Sequence, residues 1–163
     1  MNTTRYHSQN KSLPLSSEPQ QVVQAELQQL LVGWNDTEAA YPKEQSIPQL
    51  FEIQTERTPE KVALVFDKQE LSYRELNTQA NHLAHHLRSL GVGPEVLVGI
   101  CMERSLKMIV GMLGILKAGG AYVPLDPTYP QERLEFMIQD SQIAVLLTQQ
   151  RLVAQLSQHK AHV

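Results

Sequence analysis

Three histidines, His82, His85 and His86, fall close together, and His82 with His86 has the i, i+4 spacing that lets two imidazoles share a metal on one helix face. No acidic or cysteine side chain stands nearby to complete a ligand set, so the cluster reads as a solvated polar face. Gly91, Gly93 and Gly99 in "GVGPEVLVG" invite comparison with a phosphate cradle, which needs consecutive amides ahead of a helix and a basic partner. Here Glu95 and a strand come next, which puts the helix dipole at the wrong end; a helix stop and a turn are expected. Glu103, Arg104 and Ser105 follow the carboxyl end of a strand, where α/β sheets hold ligands. Their plainer reading is a local ion pair beside a helix cap. Cys101 lies in a predicted core strand and reads as a small buried apolar residue, not a nucleophile. Met102, Met108, Met112 and Met137 read as core filling.

The most particular stretch is "LKAGGAYVPLDPTYPQER", residues 116–133. Gly119 and Gly120 end a helix, since glycine reaches the left-handed conformation cheaply. Ala121 to Leu125 makes a short strand, and Pro124 removes one ladder donor, which predicts an edge, a bulge or a strand end. Asp126, Pro127 and Pro130 fix the exit and start the next helix. The stretch holds no nucleophile, base or metal set; it reads as a rigid helix–strand–helix corner.

These positions need a scaffold, and the changing apolar period along the chain supplies one. Val22, Val23, Leu27, Leu30, Leu31 and Trp34 recur at helical intervals, with Gly33 as a stop signal. After the connector "NDTEAAYPKEQS", Ser46 caps a short helix carrying Ile47, Leu50, Phe51 and Ile53, with Pro48 in its first turn. That helix ends at "RTPE", because Pro59 disfavours a helical residue before it. "VALVF" (62–66) reads as a buried strand on which "LSY" can pair back. Ser72 and Glu75 form a capping box for a helix with Tyr73, Leu76, Ala80, Leu83, Leu87 and Leu90 on one face, closed by Gly91. "VLVGICM" (96–102) is a second core strand, and Ser105 caps a helix to about Ala118 that is apolar nearly all round and so expected to be buried. Strand "AYVPLD", helix "PQERLEFMIQDS", strand "IAVLLT" (143–148) and the amphipathic "QRLVAQLSQ" follow. The alternation predicts an α/β fold, a mostly parallel sheet flanked by helices with right-handed crossovers.

Composition narrows the function classes. With 163 residues, 42% hydrophobic and 19% charged, the chain is globular and long enough for one core. A net charge of -3 offers no excess of positive charge for nucleic acid or an anionic membrane. A single cysteine allows no intrachain disulfide and fits a reducing cytoplasm. Arg5, His7 and Lys11 have no apolar stretch behind them, so no signal peptide is read. The longest apolar run, Met108 to Leu116, is far below the roughly 18 residues of a spanning helix. A soluble cytoplasmic protein is expected.

The corner also carries a likeness. Through Leu116, Lys117, Ala118, Gly119, Ala121, Tyr122, Pro124, Leu125, Asp126, Pro127, Tyr129, Pro130 and Arg133 it resembles, almost letter for letter, the second core motif of the adenylation domains of non-ribosomal peptide synthetases. "LSYREL", through Leu71, Ser72, Tyr73, Glu75 and Leu76, resembles the first core motif, which precedes the second in that family as it does here. "WNDT" (34–37), Tyr41-Pro42, "QLFEIQ" (49–54) and "TPEKVALVF" (58–66) resemble the linker and opening helix of such domains, so the match runs from about Leu13 to about Leu156.

The resemblance implies part of the N-terminal subdomain of the adenylate-forming, AMP-binding fold. It also implies a parent reaction in which an amino acid and ATP give an aminoacyl adenylate and pyrophosphate, before transfer to a carrier-bound phosphopantetheine thiol. The family's Ser/Thr/Gly-rich phosphate loop, its acidic residues for ribose and magnesium, and its lysine on a mobile subdomain have no match in this chain. The matched residues are therefore expected to be structural, with no catalytic, cofactor-binding or metal-binding residue among them, and the expected partner is the remainder of the domain or a synthetase module. The expected layout is a tail over 1–16, a linker with one helix over 17–45, a partial adenylation domain over 46–156 and a tail over 157–163. Three accounts stay open: an inactive fragment, half of a split synthetase, or a non-catalytic interaction module.

Overall fold

The computed structural model describes residues 18–40, 42–156 and 161–163, the side chains of 18–22 apart. The expected tail over 1–16, Tyr41, and residues 157–160 of the expected closing tail lie outside these. The chain divides into two units, Met1–Lys43 and Glu44–Val163. In the first, α1 (Glu18–Leu31) is followed by a 3-10 turn at Gly33–Asn35. The Asn35 side-chain amide donates to the carbonyls of Leu30 and Leu31, both at 3.1 Å, and so satisfies groups that a helix end leaves free. Val23, Leu27, Leu30, Leu31 and Trp34 are all exposed.

The second unit opens with α2 (Ile47–Arg57). Pro48 occupies its first turn, where no amide is needed, and the Gln49 side chain accepts from the Ser46 amide at 2.7 Å and its hydroxyl at 3.0 Å. Next come β1 (Val62–Phe66) and β2 (Gln69–Ser72), an antiparallel hairpin turned at Asp67, whose φ is 54°. The expectation of a buried β1 is corrected here. Val62, Val65 and Phe66 are exposed, because a two-residue turn returns the chain as a hairpin separate from the parallel sheet. Parallel neighbours need a crossover of a dozen or more residues, which this turn cannot supply.

Ser72 ends β2 and starts α3 (Tyr73–Ser89): its hydroxyl accepts from the Glu75 amide at 3.3 Å, and the Glu75 carboxylate accepts from the Ser72 amide at 2.8 Å. Three parallel strands then form in the order β4–β3–β5, with β3 Leu97–Cys101, β4 Ala121–Pro124 and β5 Val145–Thr148. The connections are α4 (Leu106–Ala118) and α5 (Gln131–Asp140), and a 3-10 segment, Gln150–Leu156, follows β5. Alternation along a strand sends neighbouring residues to opposite faces. Val98 and Val145 face a cluster with Ala84, Leu87 and Ile115, while Cys101 and Leu146 face one with Leu125, Leu134, Ile138 and Leu156. Helices therefore cover both sheet faces, as the alternation of elements predicts.

Helices α3 and α4 approach so closely at Gly114 that a Cβ there would meet Leu83 Cδ2 at 2.7 Å. Gly119 ends α4 at φ 95°, the left-handed cap that glycine adopts without strain. Helix α4 is less enclosed than its composition predicts. Val110, Gly111, Gly114, Ile115, Lys117 and Ala118 are buried, but Leu106, Met108, Ile109, Met112, Leu113 and Leu116 are half-buried. The buried Lys117 ammonium pairs with Glu52 of α2 and lies 6.0 Å from the Phe51 ring centroid, and Arg88 of α3 donates to the Lys117 carbonyl. Sequence spacing gives no sign of these ties.

The stretch 157–163, expected as a tail, differs at its described end. His162 bridges Val145 in parallel; its amide donates to the Ala144 carbonyl at 3.0 Å and its carbonyl accepts from the Leu146 amide at 2.7 Å. Ala161 packs on the core beside it. The free edge of β5 offers unpaired amides and carbonyls, and these residues take them up. Among the described residues no helix is long and apolar enough to cross a membrane.

Candidate functional site

Because parallel strands share a direction, β3 and β4 deliver their following loops to the same edge of the sheet. A cleft of about 530 Å³ opens there, between the start of α4, the loop after β3 and the corner after β4. Met102, Glu103 and Arg104 come from the β3 loop; Tyr122, Pro124, Leu125, Asp126, Pro127, Thr128 and Tyr129 come from β4 and its exit; Met108, Met112 and Met137 come from α4 and α5.

Local chemistry fixes each wall. Pro124 closes β4, an edge strand paired only with β3 among the described strands, so its missing amide interrupts no inner ladder. The Leu125 amide still donates to the Ile100 carbonyl at 3.0 Å, which carries the corner against the sheet. Asp126 folds its carboxylate back, accepting from the Thr128 amide at 2.9 Å and hydroxyl at 2.8 Å. Those bonds, the amide first, hold the Asp126 carboxyl below the usual carboxylate range, with Arg104 adding a smaller electrostatic push. Pro130 then caps α5 with its φ preset. Across the cleft, the Ser105 hydroxyl accepts from the Met108 amide at 3.3 Å and donates to the Glu103 carbonyl at 3.1 Å, so the α4 start is firm.

The expected ion pair beside this cap has a different partner. Glu103 pairs with Arg151, far along the chain, while its amide donates to the Gln149 side chain at 3.4 Å. Thr148 donates to the Cys101 carbonyl at 2.8 Å, so the ends of β3 and β5 are tied by side chains. Arg104 makes no ion pair among the described residues and faces the cleft. Met137 packs against the core, as expected, while Met102, Met108 and Met112 depart from the expectation of core filling. Met102, Met108, Met112 and Met137 are half-buried and line the cleft.

The other residues singled out by sequence go elsewhere. His82, His85 and His86 are exposed on α3 and do not line the cleft. Among the described residues no three His, Cys, Asp or Glu side chains stand where they could together hold a metal ion. Cys101 is buried, and burial pushes its thiol up, away from the thiolate a nucleophile requires; Asp126 adds to this. Gly91, at φ 87°, closes α3, and the Val96 amide donates to the Gly93 carbonyl at 3.1 Å in a turn leading into β3. Of the two motif-like stretches, Leu71 and Ser72 lie on β2, while Tyr73, Glu75 and the buried Leu76 begin α3. Residues 116–118 form the last turn of α4, Ala121 to Pro124 form β4, and Arg133 places its guanidinium 5.5 Å from the Phe136 ring centroid. The stretch 116–133 therefore shapes the cleft while the 71–76 stretch does not touch it. The Asp126–Thr128 turn is legible in its D-x-T spacing; the Glu103–Arg151 pair carries no local signal.

A cleft with an apolar floor, one guanidinium and the Asp126 and Glu103 carboxylates at its rim can bind and orient a ligand. Comparison with known proteins identifies the scaffold. The family model for AMP-binding enzymes matches residues 51–163. The chain is 53% identical over 133 residues to tyrocidine synthase 3 of Brevibacillus parabrevis, covering 82% of this chain and only 2% of that protein. Among solved structures, the non-ribosomal peptide synthetase FmoA3 superposes with a TM-score of 0.72 at 34% identity, over 79% of this chain and 14% of that one. The NpsA N-terminal subdomain of Klebsiella oxytoca superposes at 0.67 and 28% identity, over 73% of this chain and 30% of that one. A family model that takes in both strands and both helices of the cleft, with solved relatives of the same fold, leads to one conclusion: this chain belongs to the AMP-binding enzyme family.

Proposed function

We propose that the chain is the first part of an amino-acid-activating adenylation domain in a non-ribosomal peptide synthetase, led in by the segment 17–45. In the parent reaction an amino acid and ATP give an aminoacyl adenylate and pyrophosphate, and the acyl group passes to a phosphopantetheine thiol. The reading is supported above all by the position of residues 116–133, which turn at the carboxyl edge of a parallel sheet, where α/β folds bind ligands. Within that domain these residues act as scaffold. Nucleotidyl transfer draws on oriented donors and charge stabilisation at the phosphates, and the charged groups of the cleft lining are Arg104, Glu103 paired with Arg151, and Asp126 folded back on Thr128. The reacting groups then come from the remainder of the domain, the chain's partner in this reading. The test is a polypeptide that continues past Val163 in the parent reading frame through the whole domain. Amino-acid-dependent exchange of pyrophosphate into ATP is the expected result; exchange that stays at background for every amino acid offered overturns the reading.

A further inference from the structure

Away from the cleft, helix α3 carries a second set of groups with binding chemistry. His82, His85 and His86 are exposed, on the side turned away from the buried Leu76, Ala80, Ala84 and Leu87. An α-helix turns by about 100° per residue, so His86 lies about 40° round the axis from His82, with Cβ atoms about 5–6 Å apart. His85 lies about 60° to the other side of His82 and diverges from His86. The best-aligned pair is therefore His82 with His86. Its spacing is set before any ligand arrives, because the Ser72–Glu75 box starts the helix and the helix continues to Ser89. The imidazoles are also unengaged: none makes a hydrogen bond or ion pair among the described residues. Thr78, Gln79, Leu83, Ser89 and Leu90 occupy the other positions three and four away, so no neighbouring ammonium or guanidinium repels a cation there. Arg88, the nearest cation in sequence, is turned to the Lys117 carbonyl.

Neutral imidazole is a ligand of copper, zinc and nickel, whereas magnesium and calcium take oxygen. We propose that His82 and His86 form a two-point chelate for a borderline divalent transition-metal cation, copper(II) ahead of zinc, with water in the remaining coordination positions. Among the described residues no third His, Cys, Asp or Glu joins the pair. The site is thus open and exchangeable, unlike a closed structural centre with four protein ligands. The bound cation clips one exposed turn of α3 and stabilises the folded chain by mass action. The proposal rests on α3 alone and is independent of the adenylation reading.

Histidine acylation gives the test. Diethyl pyrocarbonate acylates an imidazole nitrogen that no metal holds, and tandem mass spectrometry reads the rate at each histidine. The untagged 163-residue chain is treated alone and with copper(II), zinc or magnesium ions. Saturating copper(II) is expected to slow acylation of His82 and His86 about tenfold or more, with a midpoint below about 100 µM, and to leave His85 within about twofold. Zinc should protect the same two residues at higher concentration, and magnesium should protect neither. His86→Ala should remove roughly two-thirds or more of the copper(II) protection at His82, since a lone imidazole has no chelate advantage. His85→Ala should leave that protection in place. Both side chains are exposed, so both variants keep the helix, which circular dichroism checks. Equal rates with and without copper(II) overturn the proposal. So does protection of His85 in place of His86, undiminished protection of His82 in His86→Ala, or a midpoint in the millimolar range. Protection that grows with protein concentration overturns the open site as well, since a second copy would then complete it.

Discussion

Two apolar pentapeptides, "VALVF" in β1 and "LVGIC" in β3, look alike as strings and meet opposite fates. In β3, Val98, Gly99, Ile100 and Cys101 are all buried, whereas in β1 Val65 is 63% exposed. The difference lies in the connection that leaves each strand. After β1 a tight turn at Asp67 brings the chain straight back as β2, and the resulting ribbon stays apart from the sheet. After β3 a loop leads into α4, and the crossover returns the chain as a parallel neighbour with a helix laid over it. Burial follows connection length and cover, not the apolar content of the strand. The methionine-lined cleft follows the same division, since it opens where loops from the parallel strands β3 and β4 meet at one edge.

Substitutions can break this contrast. Leu146 of β5 is 1% exposed between the sheet and the helix-α5 side of the core. Leu146→Ala should cost about 2–5 kcal/mol, through lost transfer energy and the cavity left behind. A urea midpoint that barely moves would mean the parallel sheet is not the stability core. At the junction between hairpin and helix, Ser72→Ala should cost about 0.5–2 kcal/mol by removing one side of the capping box. The amide and hydroxyl of Ser72 hold the Glu75 carboxyl below its ordinary range. A folded value lower than the unfolded one means stability that is present above the ordinary carboxylate range and lost as pH falls through the depressed value. The Ser72→Ala protein should therefore lose less stability on acidification than the parent across that window; parallel pH profiles would contradict the cap. Smallest of all, Val65→Ala in the exposed hairpin should stay within about 0.5 kcal/mol. A cost comparable to that at Leu146 would show that β1 is buried in solution and erase the contrast.

Much of the fold is legible in the residues, for identifiable reasons. The capping serines Ser46, Ser72 and Ser105 and the stop at Gly119 act through neighbours a few residues away, so short windows reveal them. Pro124 announces an edge, a bulge or a strand end because its missing amide would break an inner ladder, and it closes the edge strand β4. Features outside any local window stay hidden. The exposure of β1, the Lys117–Glu52 pair, the Glu103–Arg151 pair and the place of His162 beside β5 all depend on partners brought together by the tertiary fold. The methionines show the same limit. Met108 and Met112 share a helix face in sequence, but only the tertiary fold decides whether that face fills a core or lines a cleft.

In the proposed function, residues 116–133 shape the scaffold beneath an adenylating site and carry none of its reacting groups. The direct measurement is amino-acid-dependent exchange of labelled pyrophosphate into ATP by the purified 163-residue chain, run beside the polypeptide continued through the domain. Background exchange is predicted for all twenty standard amino acids with the chain alone, and exchange above background with the longer protein. Exchange above background by the chain alone would contradict the claim and would place reacting groups within these residues.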